Sequence, residues 1–150
     1  FPVRAVADQA VEQEATEGAD IRVEVDHDIT VTADPELLAR ALGNLIRNAV
    51  RYAASQGPIT ITASNEPLGR TEITVSDSGP GVPEEDLTKI FDAFYRVDTS
   101  RTRDTGGVGL GLSIVKTCVE ACGGRVVARN RKPQGLDVTV SLPAKRGTPA

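Results

Sequence analysis

Five stretches of the chain alternate apolar with polar side chains, and this alternation restricts the fold more than any other feature of the sequence. The stretches are residues 21–25, 58–64, 71–78, 125–130 and 135–142. Alternation of this kind indicates strands that bury one face and expose the other. A sheet with one apolar face needs a covering layer, so helices are expected to pack against that face.

Three amphipathic segments predict that covering layer: residues 3–17, 34–53 and 109–122. The second begins at Asp34-Pro35-Glu36, which is typical of a helix start with an N-cap carboxylate and an early proline. A short strand at 29–33 and a short helix near 83–89 are also predicted. The predicted fold class is α+β: a two-layer α/β sandwich whose mixed, mostly antiparallel sheet is covered on one face by three main helices.

The third helix follows a cluster of four glycines in the six positions 106–111. Such a cluster lets the backbone approach a ligand closely, and the helix N-terminus offers unpaired N–H groups to an anion such as phosphate. A flexible loop before a helix is the alternative. A Walker loop is not indicated, because Leu112 stands where its lysine would be, and a dinucleotide fingerprint is not, because Ile114 replaces the last glycine. Six residues of this helix are placed on its apolar face: Leu110, Ile114, Val115, Cys118, Ala121 and Cys122.

Asn44 and Asn48 lie one turn apart at the edge of the apolar arc of the helix 34–53. A partly buried amide needs hydrogen-bond partners. One alternative is that the partners are backbone groups or a neighbouring helix. The other is that they are a ligand or a hydrated cation. Mg²⁺ fits the second alternative, because it takes few protein oxygens and keeps waters and phosphate oxygens.

Asp77 is in phase with Ile73 and Val75 on the core side of a predicted strand, and Gly79-Pro80-Gly81 follows it directly. An inward carboxylate must find hydrogen-bond donors. One interpretation is that Asp77 caps a helix that starts at Pro83. The other is that it accepts a hydrogen bond from an amine-bearing ligand such as adenine.

The composition excludes several classes of function. A net charge of −4, from 17 basic and 21 acidic residues, disfavours a nucleic-acid binder that works by bulk electrostatics. No apolar run is long enough for a membrane span. The two cysteines match no zinc or redox motif and favour a reducing, cytoplasmic location. The only histidine, His27, is placed in an exposed turn.

The organisation of the chain is predicted to be a single domain over residues 1–150, with a core at about 3–143 and a tail at 144–150. No methionine occurs, even at position 1, so we expect a piece of a longer protein, cut at about Phe1-Pro2-Val3.

Four blocks in order carry a resemblance to a known family. They are Asn44-Leu45-Ile46-Arg47-Asn48-Ala49, Asp77-Ser78-Gly79-Pro80-Gly81, Phe91-Asp92-Ala93-Phe94-Tyr95-Arg96 and Gly106-Gly107-Val108-Gly109-Leu110-Gly111-Leu112. This order resembles the catalytic, ATP-binding domain of sensor histidine kinases, in the superfamily with gyrase, Hsp90 and MutL. The resemblance covers about residues 3–143 and implies the Bergerat fold, with an ATP lid at about 97–107.

The resemblance also implies roles for individual residues. Asn48 matches the Mg²⁺ ligand, Asp77 the acceptor of the adenine amine, and Tyr52 an aromatic residue that flanks the nucleotide. Arg51 and Arg96 match residues that position phosphate and are the catalytic candidates. The complete set of implied nucleotide-binding residues is Asn44, Asn48, Arg51, Tyr52, Asp77, Gly79, Gly81, Val82, Arg96, Gly107, Val108, Gly109, Leu110 and Gly111.

Two departures from the superfamily pattern refine the expected activity. Hydrolysing relatives carry a glutamate base where this chain has Asn44, an amide that cannot take up a proton, so efficient ATP hydrolysis is not expected. His27 lies outside any dimerisation helix, so the phosphate acceptor must lie on an upstream segment of the parent. In the last strand, Leu136 departs from the usual threonine, and no role is assigned to it.

The implied function is to bind Mg–ATP and to donate the γ-phosphate to a histidine on the parent's own dimerisation domain, within a two-component system. The implied partners are that domain and, through the full-length protein, a response regulator. The parent is expected to be a membrane-anchored sensor, with this piece cytoplasmic and monomeric and unable to autophosphorylate alone. The alternatives are a serine kinase of the anti-sigma-factor type and a nucleotide-sensing module without transfer activity.

Overall fold

The computed structural model describes residues 1–14, 19–53, 57–92 and 111–143, without the side chains of Tyr52, Ala53 and Leu68. Its helices are α1 (Val3–Glu14), α2 (Pro35–Ala53) and α3 (Gly111–Ala121). Its strands are β1 (Ile21–Glu24), β2 (Ile59–Glu66), β3 (Arg70–Ser76), β4 (Arg125–Asn130) and β5 (Leu136–Pro143). No helix of this described part is long and apolar enough to cross a membrane.

The strands form one five-stranded sheet in the order β1-β2-β3-β5-β4. Only β1 and β2 are parallel, and α2 is the crossover that such a pair requires. The pairs β2–β3, β3–β5 and β4–β5 are antiparallel. Because β5 returns between β3 and β4, the turn after β4 lies beside the loop that leaves β3. The predicted mixed, mostly antiparallel sheet is confirmed.

The core lies between one face of the sheet and the helices, as the alternation predicted. Along β3 every second residue is buried, and Ile73 and Val75 are both almost fully buried. Leu38, Leu42 and Ile46 of α2 are among the largest fully buried side chains. Asp34 caps α2 through Oδ1, which accepts hydrogen bonds from the backbone N–H groups of residues 36 and 37 at 2.9 and 3.3 Å. His27 is exposed in a turn, as predicted.

Several local predictions were wrong or too long. The strand at 29–33 is an isolated bridge between Pro2 and Thr30. The short helix near 83–89 is present, but only as a 3₁₀ helix at Glu84–Asp86. Ile114 and Ala121 of α3 are exposed, because the buried stripe of this helix runs through Val115, Cys118 and Val119. The predicted helical residues 15–17, 109 and 110 lie outside the described residues.

Candidate nucleotide-binding site

Asp77 is the buried carboxylate of the candidate site, with 7% of its surface exposed. Strand β3 ends at Ser76, so Asp77 is the first residue of the loop that follows. Its Oδ1 accepts hydrogen bonds from the backbone N–H groups of Gly79 at 2.9 Å and Leu136 at 3.2 Å. Within the described residues its Oδ2 accepts none. The two fixed bonds orient the carboxylate and leave Oδ2 as its remaining acceptor.

The electrostatic environment of Asp77 follows from this geometry. Burial raises the pKa of its carboxyl above the usual range, and the hydrogen bonds from Gly79 and Leu136 act in the opposite direction. Nearby Arg131 also lowers this pKa, whereas the charge of Asp137 raises it.

Asp77 does not cap the 3₁₀ turn at Glu84–Asp86, which has no side-chain cap, so the capping interpretation is wrong.

The β4–β5 turn holds the loop 77–82 through contacts that the sequence did not predict. Arg131 donates from Nη1 to the carbonyl oxygen of Asp77 at 3.0 Å, and Gln134 donates from Nε2 to that of Ser78 at 2.7 Å. Asn130 pairs with both backbone groups of Val82. The only signal in the sequence was a set of polar residues at a predicted strand end, which is also typical of any solvated turn.

Leu136 takes part in the site through its backbone. Its N–H donates to Asp77 Oδ1, its carbonyl accepts from the Asp77 N–H at 3.0 Å, and its side chain is buried. The departure from threonine at this position therefore leaves the backbone contact to Asp77 in place.

The two asparagines of α2 differ in their hydrogen bonds. Asn44 donates from Nδ2 to the carbonyl oxygen of Arg40 at 2.9 Å, one turn earlier in its own helix. A Cβ atom added to Gly111 would lie 3.8 Å from Asn44 Oδ1, so the described start of α3 is adjacent to this amide. Asn48 is partly buried, and among the residues that the structure describes its amide has no hydrogen-bond partner. Within the described residues the backbone interpretation thus holds for the amide nitrogen of Asn44, and both alternatives stay open for Asn48.

Further predicted site residues fall partly within the described structure. Gly79 is buried, Gly81 and Val82 are partly buried, and Arg51 is exposed in the last turn of α2. Phe91, the first residue of the third block, is buried at 6% exposure and joins the core. Arg96, Gly107 to Leu110, the remainder of the predicted lid and the tail lie outside the described residues, as does the side chain of Tyr52.

The described residues thus include a buried strand-end carboxylate, two asparagine amides on α2 and a start of α3 that lies beside Asn44. A family model described as "Histidine kinase-, DNA gyrase B-, and HSP90-like ATPase" matches residues 33–146. The chain belongs to that family. Its layers and strand arrangement are those of the Bergerat ATP-binding fold, which confirms the predicted fold.

Individual relatives of the chain are sensor kinases. It is 41% identical to the sensor histidine kinase WalK of Bacillus subtilis over 121 residues, which are 80% of this chain and 20% of WalK. The mycobacterial sensor histidine kinase MprB superposes with a TM-score of 0.82 at 28% identity, covering 98% of this chain and 99% of that structure. Full-length ShkA in complex with AMPPNP gives a TM-score of 0.80 at 31% identity, covering 99% of this chain and 32% of ShkA.

These relatives confirm the predicted resemblance to the ATP-binding domains of sensor histidine kinases in two-component signalling. The chain spans only about a fifth of the length of WalK. The activity and partners of a whole sensor kinase are therefore treated as proposals for this chain.

Proposed function

We propose that this chain binds Mg–ATP and, in its parent protein, presents the γ-phosphate to a histidine of a separate dimerisation domain. The observation that carries the proposal is the buried carboxylate of Asp77, whose Oδ1 is held by two backbone donors while Oδ2 remains available. The complex of the similar protein ShkA with an ATP analogue supports the choice of nucleotide.

An acceptor held in this way suits the exocyclic amine of adenine. A carboxylate that accepts a hydrogen bond in a partly desolvated site contributes more than a neutral acceptor does. The raised pKa of Asp77 reflects the burial of its carboxyl, and a missing hydrogen bond is costly for a buried polar group. A purine with a carbonyl at the same position would place two acceptors face to face.

The triphosphate is proposed to lie between α2 and the start of α3. Asn48 offers an amide oxygen to Mg²⁺, and Arg51 offers a positive charge to phosphate. One protein oxygen fits Mg²⁺, because this ion retains waters and phosphate oxygens as its other ligands. The bound ion would neutralise charge on the phosphates during transfer.

Phosphoryl transfer to a protein, rather than hydrolysis, follows from the side chain at position 44. An amide there orients neighbouring groups but cannot take a proton from water. Its nitrogen already donates to the Arg40 carbonyl, so its position is fixed by its own helix. The proposed partners are the parent's dimerisation domain and a response regulator. No observation favours the serine kinase or the nucleotide-sensing module.

The test of nucleotide binding is a titration of ATP, with and without Mg²⁺, into the chain and its Asp77→Asn variant. The variant keeps an oxygen for the two backbone donors and turns an N–H₂ donor toward the adenine amine. We expect the affinity for ATP to fall about 10- to 100-fold, the effect of losing a hydrogen bond to a charged group. Asp28→Asn is the matched control, because it makes the same chemical change at an exposed position in the turn after β1.

Equal affinity of the parent chain and Asp77→Asn, at equal folded fractions, would refute the assignment. Transfer is tested by mixing the chain with a separate histidine-bearing dimerisation domain and ATP labelled in the γ-phosphate. Label on the histidine is the expected result. Intact binding without transfer would instead support the nucleotide-sensing module.

A further inference from the structure

The side chain of Asn130 binds the backbone of Val82 in the way that a neighbouring strand would. Its Oδ1 accepts a hydrogen bond from the Val82 N–H at 2.9 Å, and its Nδ2 donates to the Val82 carbonyl at 2.6 Å. Asn130 is the last residue of β4, so its position is set by the sheet. One amide thus fixes both backbone groups of a loop residue to a rigid element.

The same amide also packs against the residue before Val82. Gly81 has φ +78°, and a Cβ atom added to it would lie 2.7 Å from Asn130 Oδ1. Only glycine allows this conformation and this close approach without strain. Hydrogen bonds and close packing therefore restrict the end of the loop together.

The start of the loop is held separately. Arg131 and Gln134 bind the carbonyl oxygens of Asp77 and Ser78, and the backbone of Leu136 pairs with Asp77. Asp77 Oδ1 also holds the Gly79 N–H at 2.9 Å. The position of Gly81 and Val82 relative to Asp77 then depends on Asn130, because the contacts at the start of the described loop extend only to Gly79.

We propose that Asn130 is a positioning residue for the base of the bound nucleotide and that it acts through Val82. By fixing Gly81 and Val82 relative to Asp77, it aligns the purine so that its 6-amino group meets Asp77 Oδ2. This inference rests on the proposed nucleotide binding. Hydrogen-bond strength falls steeply when alignment is lost, so a loosened segment costs ATP its bond to Asp77. Inosine triphosphate has a 6-oxo group and makes no such bond, so its affinity should fall less than that of ATP.

The experiment measures dissociation constants of ATP and inosine triphosphate for the chain and for Asn130→Ala, each with Mg²⁺. We expect the preference for ATP over inosine triphosphate to fall about tenfold in Asn130→Ala, through weaker ATP binding. Asn130→Asp retains the acceptor for the Val82 N–H but places a carboxylate against the Val82 carbonyl, so it should resemble the alanine variant. Asn130→Ser retains one hydrogen-bonding group and should recover part of the preference.

Asn65→Ala is the matched control, because Asn65 in β2 also makes a side-chain hydrogen bond, to Thr71 at 3.2 Å, outside the loop 77–82. Its preference should equal that of the parent chain. An unchanged preference in Asn130→Ala, or equal losses for both nucleotides, would overturn the inference and indicate a merely structural role. If Asn130→Ala does not fold, Asn130→Ser decides by the same ratio. Failure of the proposed function is distinguishable, because the parent chain would then show no preference and no dependence on Asp77.

Discussion

Replacement of Gly135 by alanine tests the contact between the β4–β5 turn and the loop 77–82. Gly135 has φ +119°, and a Cβ atom there would overlap the backbone carbonyl of Asp77. The obstacle is backbone rather than the end of a flexible side chain, so the turn or the loop must move. Gly69 provides a matched control, because its φ is +74° and nothing lies within 4 Å of its added Cβ atom.

The expected magnitudes follow from these two environments. A positive φ costs a residue other than glycine about 1–2 kcal/mol. Alanine also lowers the conformational entropy of the unfolded chain, which offsets about 0.4–1 kcal/mol of that cost. We therefore expect Gly69→Ala to lower the free energy of unfolding by about 0.5–1 kcal/mol. Gly135→Ala bears at least the same backbone cost, because its φ lies farther from the left-handed helical region, and an overpacking cost of about 1–3 kcal/mol, which gives about 1.5–4 kcal/mol in total.

The assay is equilibrium unfolding in urea, monitored by circular dichroism, with the ATP affinity of each folded variant measured in parallel. Gly135→Ala should lose stability and ATP affinity, whereas Gly69→Ala should lose a little stability and no affinity. A Gly135→Ala variant as stable as Gly69→Ala, with unchanged denaturant dependence, would refute the close approach of Gly135 to Asp77. The β4–β5 turn would then not determine the position of Asp77.

Two further predictions concern charge and packing. Since burial raises the pKa of Asp77 in the folded state, its ionisation costs stability as the pH rises from its unfolded pKa, about 3.9, through its folded pKa. The unfolding free energy of Asp77→Asn relative to the parent chain should therefore rise over this window and then level off. A difference that does not vary with pH would contradict the burial effect. Leu42→Ala, at a fully buried position of α2, should cost about 2–5 kcal/mol in urea unfolding, whereas Ile114→Ala, at 36% exposure, should cost about 0.5 kcal/mol. Equal costs would contradict the observed orientation of α3.

Much of the fold was predictable because strand and helix periodicities are local properties. The alternation placed Ile73, Val75 and Asp77 on the buried face, as observed. The cap at Asp34 was predictable, because an N-cap needs only residues that follow it in the chain. Ile114 was placed wrongly, because a helix with apolar residues over a wide arc does not reveal which part of the arc faces the sheet.

The sequence by itself determined the sandwich, the buried position of Asp77 and the pairing of Asn44 with Asn48 on one helix. It could not determine what holds the carboxylate. Residues 130–136 are more than 45 positions from Asp77 in the chain, and only the return of β5 beside β3 brings them into contact. A hydrogen bond from a side chain or a backbone group to a distant backbone group leaves no periodic pattern in the sequence. Only the tertiary structure therefore shows the contacts of Asn130, Arg131 and Leu136 with the loop 77–82.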